Sequence, residues 1–282
     1  MKKACKKKTY SKRLSIFLLL LIMISMLPVS GCIEDKSSAS VSGENENNFE
    51  GRQLTVCAGA GLIKPMNELI KNFEDETGAK IQVRYGGSAE IFGTLASKEC
   101  DIFIPGDYYY TEQAMSRNYV FNESVKNVTL HIPVIAVPEG NPANVTGLKD
   151  LARPGIKLAL GDTKGPAIGK VSETICAQTG ILPEVKNNTI VWTATVNQLL
   201  VYIVSGEVDA TIFWEDMANW GEANGKIELI SIPEEQNKIE TIPAAISVYT
   251  EDPELAEAFN AYIAGEEAEE TWEKWGFEPC AL

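Results

Sequence analysis

Hydrophobic and polar residues fall into three regimes along this chain. Lys2, Lys3, Lys6, Lys7, Lys8, Lys12 and Arg13 make a basic start; Leu14 to Leu27 is apolar apart from Ser15 and Ser25; and residues 33–52 are polar, rich in Ser, Asn and Glu. From Gln53 onward the apolar positions become periodic. Leu54, Val56 and Ala58 alternate as in a strand, and Met66, Leu69, Ile70 and Phe73 recur at helical spacing before Gly78, a helix stop. Lys80 to Tyr85 reads as a second strand, Ile91, Phe92 and Leu95 mark a second helix, and Asp101 to Pro105 a third strand. This β-α-β-α-β order predicts a parallel sheet with helices on both faces.

The rhythm changes at the extended run His131 to Pro138 and then repeats. Strands are predicted over Lys157–Leu160, Ala210–Trp214 and Ile227–Ile232, and helices over Pro166–Gln178 and Val196–Ser205. Ile242 to Tyr249 is extended and leads into two closing helices, marked by Leu255, Phe259, Tyr262 and Ile263, then by Trp272 and Trp275. The pattern therefore predicts two α/β units. The chain crosses between them near residues 131–137 and again near 240–246. The expected division is 53–132 plus 244–282 for the first lobe and 133–243 for the second. Ligands of open α/β sheets sit beyond the carboxyl ends of the strands, so the expected site is the cleft between the lobes.

The amino terminus reads as an export signal. Its apolar stretch is short of the ~20 residues of a spanning helix and fits the core of a signal peptide. Val29, Ser30 and Gly31 precede Cys32 in the small-residue pattern that is cut before a lipid-bearing cysteine. Residues 1–31 are then removed, Cys32 carries the lipid, and residues 32–52 form a tether. The alternative is an uncleaved anchor. Both readings place residues 33–282 outside the cytoplasmic membrane of a prokaryote. The segment takes seven of the 25 Lys and Arg with it and no acid, leaving 18 bases against 39 acids and a formal charge of −21. Such a surface repels nucleic acid phosphates and anionic membranes. Cys57, Cys100, Cys176 and Cys280 remain, which allow three pairings and form no CxxC. Cys57, in a predicted strand, is expected to be a buried apolar residue.

Three segments share the form strand, small-residue turn, helix: Ala58–Leu62, Gly86–Glu90 and Gly165–Gly169. Small residues let a ligand reach the backbone. A helix start offers unpaired N–H groups and about half a positive charge, an anion site without Lys or Arg. Ser88 adds a hydroxyl donor. Trp214, at a strand end, is a candidate cleft wall; the aromatic run Tyr108–Tyr110 reads as packing beside it. Enzyme chemistry finds little support. The single histidine, His131, lies in the predicted hinge and is expected to be structural. There is no GxSxG, HExxH or P-loop. Glu215 and Asp216 follow a strand end and read as solvated surface acids, with a position facing the cleft as the alternative.

Over nearly all of residues 53–277 the chain resembles the solute-binding proteins of molybdate and tungstate ABC importers. The matching runs are TVCAGAGLIKPMNELIKNFEDETGAKIQVRYGGSAEI, CDIFIPGD, LALGDTKGPAIGK, ATVNQLLVYIVSGEVDATIFWED and AEAFNAYIAGEEAEETWEKWGF. The resemblance implies a two-lobed periplasmic-binding-protein type II fold and no catalysis. Carried over by position, it places oxyanion contacts at Gly61 with Ala60 before it, at Ser88 with Gly87 before it, at the backbone of Ala167 after Pro166, at the backbone of Val196, and at Trp214. Gly61 stands where the family has a serine and Trp214 where bacterial members have a tyrosine, so two hydroxyls are missing. Archaeal relatives add two carboxylates to the metal. Here one position is Gly165, and Glu215 is the possible additional metal ligand.

The resulting expectation is a lipid-anchored, monomeric protein on the outer face of the cell membrane. It needs no cofactor, captures molybdate or tungstate, and delivers the anion to an ABC permease and its ATPase subunit, with no nucleic-acid partner. The alternatives are the same fold holding sulfate, phosphate or a small carboxylate, and a surface sensor domain without a transporter.

Overall fold

A computed structural model describes residues 48–280; the expected signal segment, the lipidated Cys32 and most of the tether lie outside them. Among the described residues the strands form two five-stranded sheets. The first has the order β2-β1-β3-β10-β4 and the second β7-β6-β8-β5-β9.

The first sheet is built on β1 (Gln53–Gly59), buried at nearly every position, as a strand covered on both faces must be. It pairs in parallel with β2 (Lys80–Gly86) and β3 (Ile102–Ile104). The β1–β2 register runs unbroken from Gln53↔Lys80 to Gly59↔Gly86, so both strands end at one level. Helix α1 (Ile63–Thr77) buries Met66, Leu69, Ile70 and Phe73, the stripe its spacing predicts. It ends at Gly78, whose φ of +74° suits a left-handed cap and whose N–H returns to Glu74. Helix α2 (Ser88–Ala96) and α3 (Tyr108–Ser116) complete the first run of the chain.

The sheet is mixed rather than wholly parallel. β4 (Lys126–His131) and β10 (Glu240–Ile246) join it antiparallel. Pro243 lies inside β10, where it has no N–H to give a neighbour; the ladder shifts register between Ile242 and Pro243 to accommodate it.

The extended run His131–Pro138 is two strands in two sheets. β4 ends at His131, and β5 (Pro133–Pro138) begins after Ile132 in the second sheet. That sheet adds β6 (Leu158–Gly161), β7 (Thr189–Thr193), β8 (Ala210–Trp214) and β9 (Ile227–Ser231). The return crossing spans residues 232–239, and Asn237 ties the two crossings by donating to the Pro133 carbonyl at 2.9 Å. Helices α4 (Ala167–Gln178), α5 (Leu182–Asn188) and α6 (Val196–Ser205) cover the second sheet. α6 matches its predicted bounds and stops at Gly206, φ +70°.

Each sheet has its own buried apolar cluster. The closing helices α7 (Pro253–Ile263) and α8 (Glu266–Lys274) return to the first, where Phe73 and Phe259 meet edge to face at 5.1 Å. Trp272 is buried and donates from Nε1 to Ile263 O at 2.9 Å. Trp275 packs against both clusters. Cys57, Cys100 and Cys176 are buried free thiols, which removes all three pairings that the count of four allowed. Burial lifts the Cys176 thiol to about 12. No helix among the described residues is long and apolar enough to cross a membrane.

Trp272→Ala should lower unfolding stability by about 3–5 kcal/mol, read as a fall in the urea midpoint. An unchanged midpoint would show that α8 contributes nothing to the first lobe's core.

Candidate functional site

The strand ends position the site. In the first sheet β1 and β2 stop side by side, and the chain turns at once through Ala60–Leu62 and through Gly87 into α2. In the second, β6 and β7 also end together, at Gly161↔Thr193. The chain then enters α4 through Pro166 and α6 through Thr195. These carboxyl ends face one another across a cavity of about 20 Å³. A single water needs roughly 10–15 Å³ on that measure, so the space suits one small guest.

The three helix starts contribute Ser88, Ala167 and Val196 to the cavity wall. The first N–H groups of a helix have no helical acceptor, so each start brings donors and partial positive charge to the cavity. Ala60, Gly61, Gly87, Pro166 and Trp214 line the same cavity. All eight positions expected to contact an oxyanion are thus brought together. Ser88 is buried, and its Oγ accepts from the Gly106 N–H at 3.2 Å, which leaves the hydroxyl hydrogen to donate elsewhere.

Glu215 is not part of the cavity wall; its backbone N–H donates to Ile132 O at 2.9 Å, fixing it to the hinge. No group of three or more metal-holding His, Cys, Asp or Glu side chains occurs among the described residues. Asp216 overturns its reading as a solvated surface acid. It is 2% exposed, and burial raises its carboxyl above the usual range, against the pull of His131. Tyr108 and Tyr110 are half-buried packing residues, as expected, while Tyr109 is exposed. These residues begin α3, which Asp107 caps by accepting from Tyr109 N at 3.2 Å. Tyr108 donates to Asn127 and Tyr110 packs on Phe92.

Sequence reasoning missed two wall residues. Gly106 follows β3 just as the other turns follow their strands, and that repeated form was the available signal. His131 is both at the hinge and in the wall, its ring stacked on Trp214 at 3.5 Å and 17°. Nδ1 of His131 meets Gly106 O at 2.9 Å, and Nε2 lies 3.4 Å from Asp216 Oδ1. No Lys or Arg lines the cavity.

The lobes are closed on each other. Ala89 N donates to Gly165 O at 3.2 Å, Lys64 pairs with Glu222 at 3.0 Å, and Lys170 lies over the Tyr109 ring at 4.4 Å. Closure needs small residues, since a Cβ on Gly87 would stand 2.7 Å from Ala194 O, and one on Gly106 2.9 Å from the Ala167 Cβ.

Comparison with known proteins agrees with this architecture. The model of the bacterial extracellular solute-binding protein family matches residues 54–278. The chain belongs to that family. This solute-binding protein is 33% identical over 187 residues to a putative binding protein of Haemophilus influenzae, covering 66% of the chain and 75% of the relative. It is 24% identical to a putative ABC transporter substrate-binding lipoprotein of Bacillus subtilis, over 94% of the chain and 98% of the relative. It is 21% identical to the molybdate-binding protein of Mycobacterium tuberculosis, over 90% and 95%. Its fold is similar to that of the Mycobacterium tuberculosis sulfate-binding protein, with TM-score 0.74, 19% identity, and 81% and 87% of the two chains covered. It is also similar to that of the Azotobacter vinelandii periplasmic molybdate-binding protein, with TM-score 0.68, 17% identity, and 79% and 98% covered. The solute-binding protein thus has the two-lobed α/β fold of a family that serves transporters rather than catalysis.

Gly87→Ala should keep the lobes from closing, because the clash is with backbone. Small-angle scattering should then show an expanded particle under ligand-saturating conditions. A scattering profile equal to wild type would mean that the turn yields and closure does not depend on this glycine.

Proposed function

We propose that this solute-binding protein captures a tetrahedral dianion, molybdate or tungstate, between its lobes and hands it to an ABC permease and ATPase. The observation that carries the reading is the convergence of three helix starts, from two opposing lobes, on one small cavity without Lys or Arg. Neutral N–H donors suit an anion fully charged at neutral pH, and a closed cavity selects by size. Binding at nanomolar affinity needs about 12 kcal/mol, much of which several hydrogen bonds to a charged guest supply at roughly 1.5–3 kcal/mol each. A guest held by donors from both lobes favours the closed form. The moving bodies are residues 53–132 with 244–282 and residues 133–243. Cys32 is the lipid anchor in this reading, supported by the relative described as a lipoprotein. The contacts are Ser88 and the backbone around Ala60, Gly61, Gly87, Pro166, Ala167 and Val196, with the Trp214 ring as a wall.

Sulfate is the second reading, favoured by the narrowness of the cavity and by Gly61 and Trp214, which withhold hydroxyls that a wider anion would use. Titration followed by tryptophan fluorescence separates the two, since Trp214 lines the cavity. Molybdate and tungstate should quench or enhance at lower concentration than sulfate, and displace it. Sulfate winning the competition would reassign the cargo. Ser88→Ala should weaken molybdate binding by about tenfold or more with an unchanged circular dichroism spectrum; equal affinity would remove Ser88 from the contacts.

A further inference from the structure

At the base of the cavity lies a pair of titratable side chains that the hydrogen-bond donors above do not account for. His131 comes from the end of β4 in the first sheet, and Asp216 from the turn after β8 in the second; each is 2% exposed. Because Nδ1 donates to Gly106 O, the second ring nitrogen, Nε2, is the one that faces the carboxylate. At 3.4 Å that approach is longer than a made hydrogen bond, and both Nε2 and Asp216 Oδ2 are buried without a hydrogen-bond partner. An unprotonated pair therefore holds one negative charge at a buried position, against a ring that forms part of the cavity wall.

Three carboxylates and two lysines surround the pair. Asp107, at the cap of α3, faces His131, and Lys238 and Lys170 both act on Asp107. Glu240, the cross-strand partner of His131 on β10, pairs with Lys238. Glu215 precedes Asp216 on its own turn and is tied to Ile132 through its backbone. The remaining ring neighbours, Trp214 and Phe277, are uncharged. Of these titratable groups only His131 lines the cavity, so the charge at its wall varies with the number of protons the His131–Asp216 pair holds.

We propose that this pair is a proton site coupled to the anion site: as a dianion enters the closed cleft, the pair takes up one proton from solvent and becomes neutral overall. The proposal rests on the oxyanion reading. The proton belongs to the pair, shared between Nε2 and the carboxylate. Burial, which already lifts the Asp216 carboxyl, works in the same direction. By reciprocity the anion must bind more tightly where the pair is already protonated, so affinity falls as pH rises.

The test is calorimetry of the wild-type protein with molybdate, and separately with sulfate, which carries no proton near neutral pH. It is run at about pH 7 in two buffers of different ionisation enthalpy, neither of them an oxyanion. The observed enthalpy should differ between buffers by an amount equivalent to uptake of a substantial fraction of one proton per anion. The dissociation constant should rise by up to about tenfold per pH unit, the limit for one linked proton. The double variant His131→Gln, Asp216→Asn should bind without buffer dependence. If it does not fold, the wild-type data decide alone. Binding with buffer-independent enthalpy overturns the proton site and leaves the oxyanion reading standing. Uptake that persists in the double variant overturns its assignment to this pair. No heat with molybdate, tungstate or sulfate overturns the oxyanion reading and the coupling with it.

Discussion

The structure depends on one constraint: backbone N–H groups at helix starts must reach a common point from two separate sheets. A strand–turn–helix unit puts its first free N–H groups just beyond the strand's carboxyl end. Two such units can aim at one guest only if their strands stop at the same level, which the unbroken β1–β2 register and the paired ends of β6 and β7 provide. It also requires that no side chain stand between backbone and guest. The same small residues then serve a second purpose. Gly87 and Gly106 touch the opposite lobe so closely that a methyl group there would hold the cleft open. Exposing the donors and letting the lobes close are one requirement on the sequence.

Electrostatics follows from that choice. The chain is strongly acidic, with a formal net charge of −14, yet the guest proposed for its cavity is an anion. The two are compatible because exposed charges are screened beyond about 8 Å at physiological salt, while helix ends act at contact distance. The contacts across the rim do little to hold the lobes together. Lys64–Glu222 is partly exposed, and pairs of that kind contribute no more than about 1 kcal/mol. Shifting a two-state equilibrium from almost all open to almost all closed takes about 5.5 kcal/mol of differential binding. In the proposed function that energy comes from a guest that both lobes grip.

Much of this was legible in the residues. The period-2 and period-3.6 patterns located β1, α1, β2, α2 and α6, and the small-residue turns pointed to the cavity, because local spacing carries both signals. Other elements were missed for local reasons. β7 places Ile190 and Trp192 on an exposed face of an edge strand, so it shows no buried-strand pattern. α3 opens on three tyrosines, poor marks of a helix, and is started by the Asp107 cap instead. The run His131–Pro138 looks like one strand because Ile132 is as apolar as its neighbours; only the tertiary fold assigns its two halves to different sheets. Asp216 was misread for a related reason. An acid after a strand end is usually solvated, and nothing nearby in sequence announces that His131, from the other sheet, will cover it.

That last contact shows why hinge and cavity cannot be separated here. His131 ends the last strand before the chain leaves the first sheet, and Asp216 follows the strand that pairs with Pro133, where the chain has just entered the second. Their side chains meet at the crossing point, held by Asn237 on Pro133 and by Glu215 on Ile132. The His131 ring also stacks on Trp214 and forms part of the wall the guest would touch. In the proposed hinge motion these two groups belong to different moving bodies, one at the end of β4 and the other after β8. A change of charge in the cavity must change the energy of the same pair, because the His131 ring is part of the cavity wall. If the pair is the proposed proton site, opening, closing and filling all act on one buried contact.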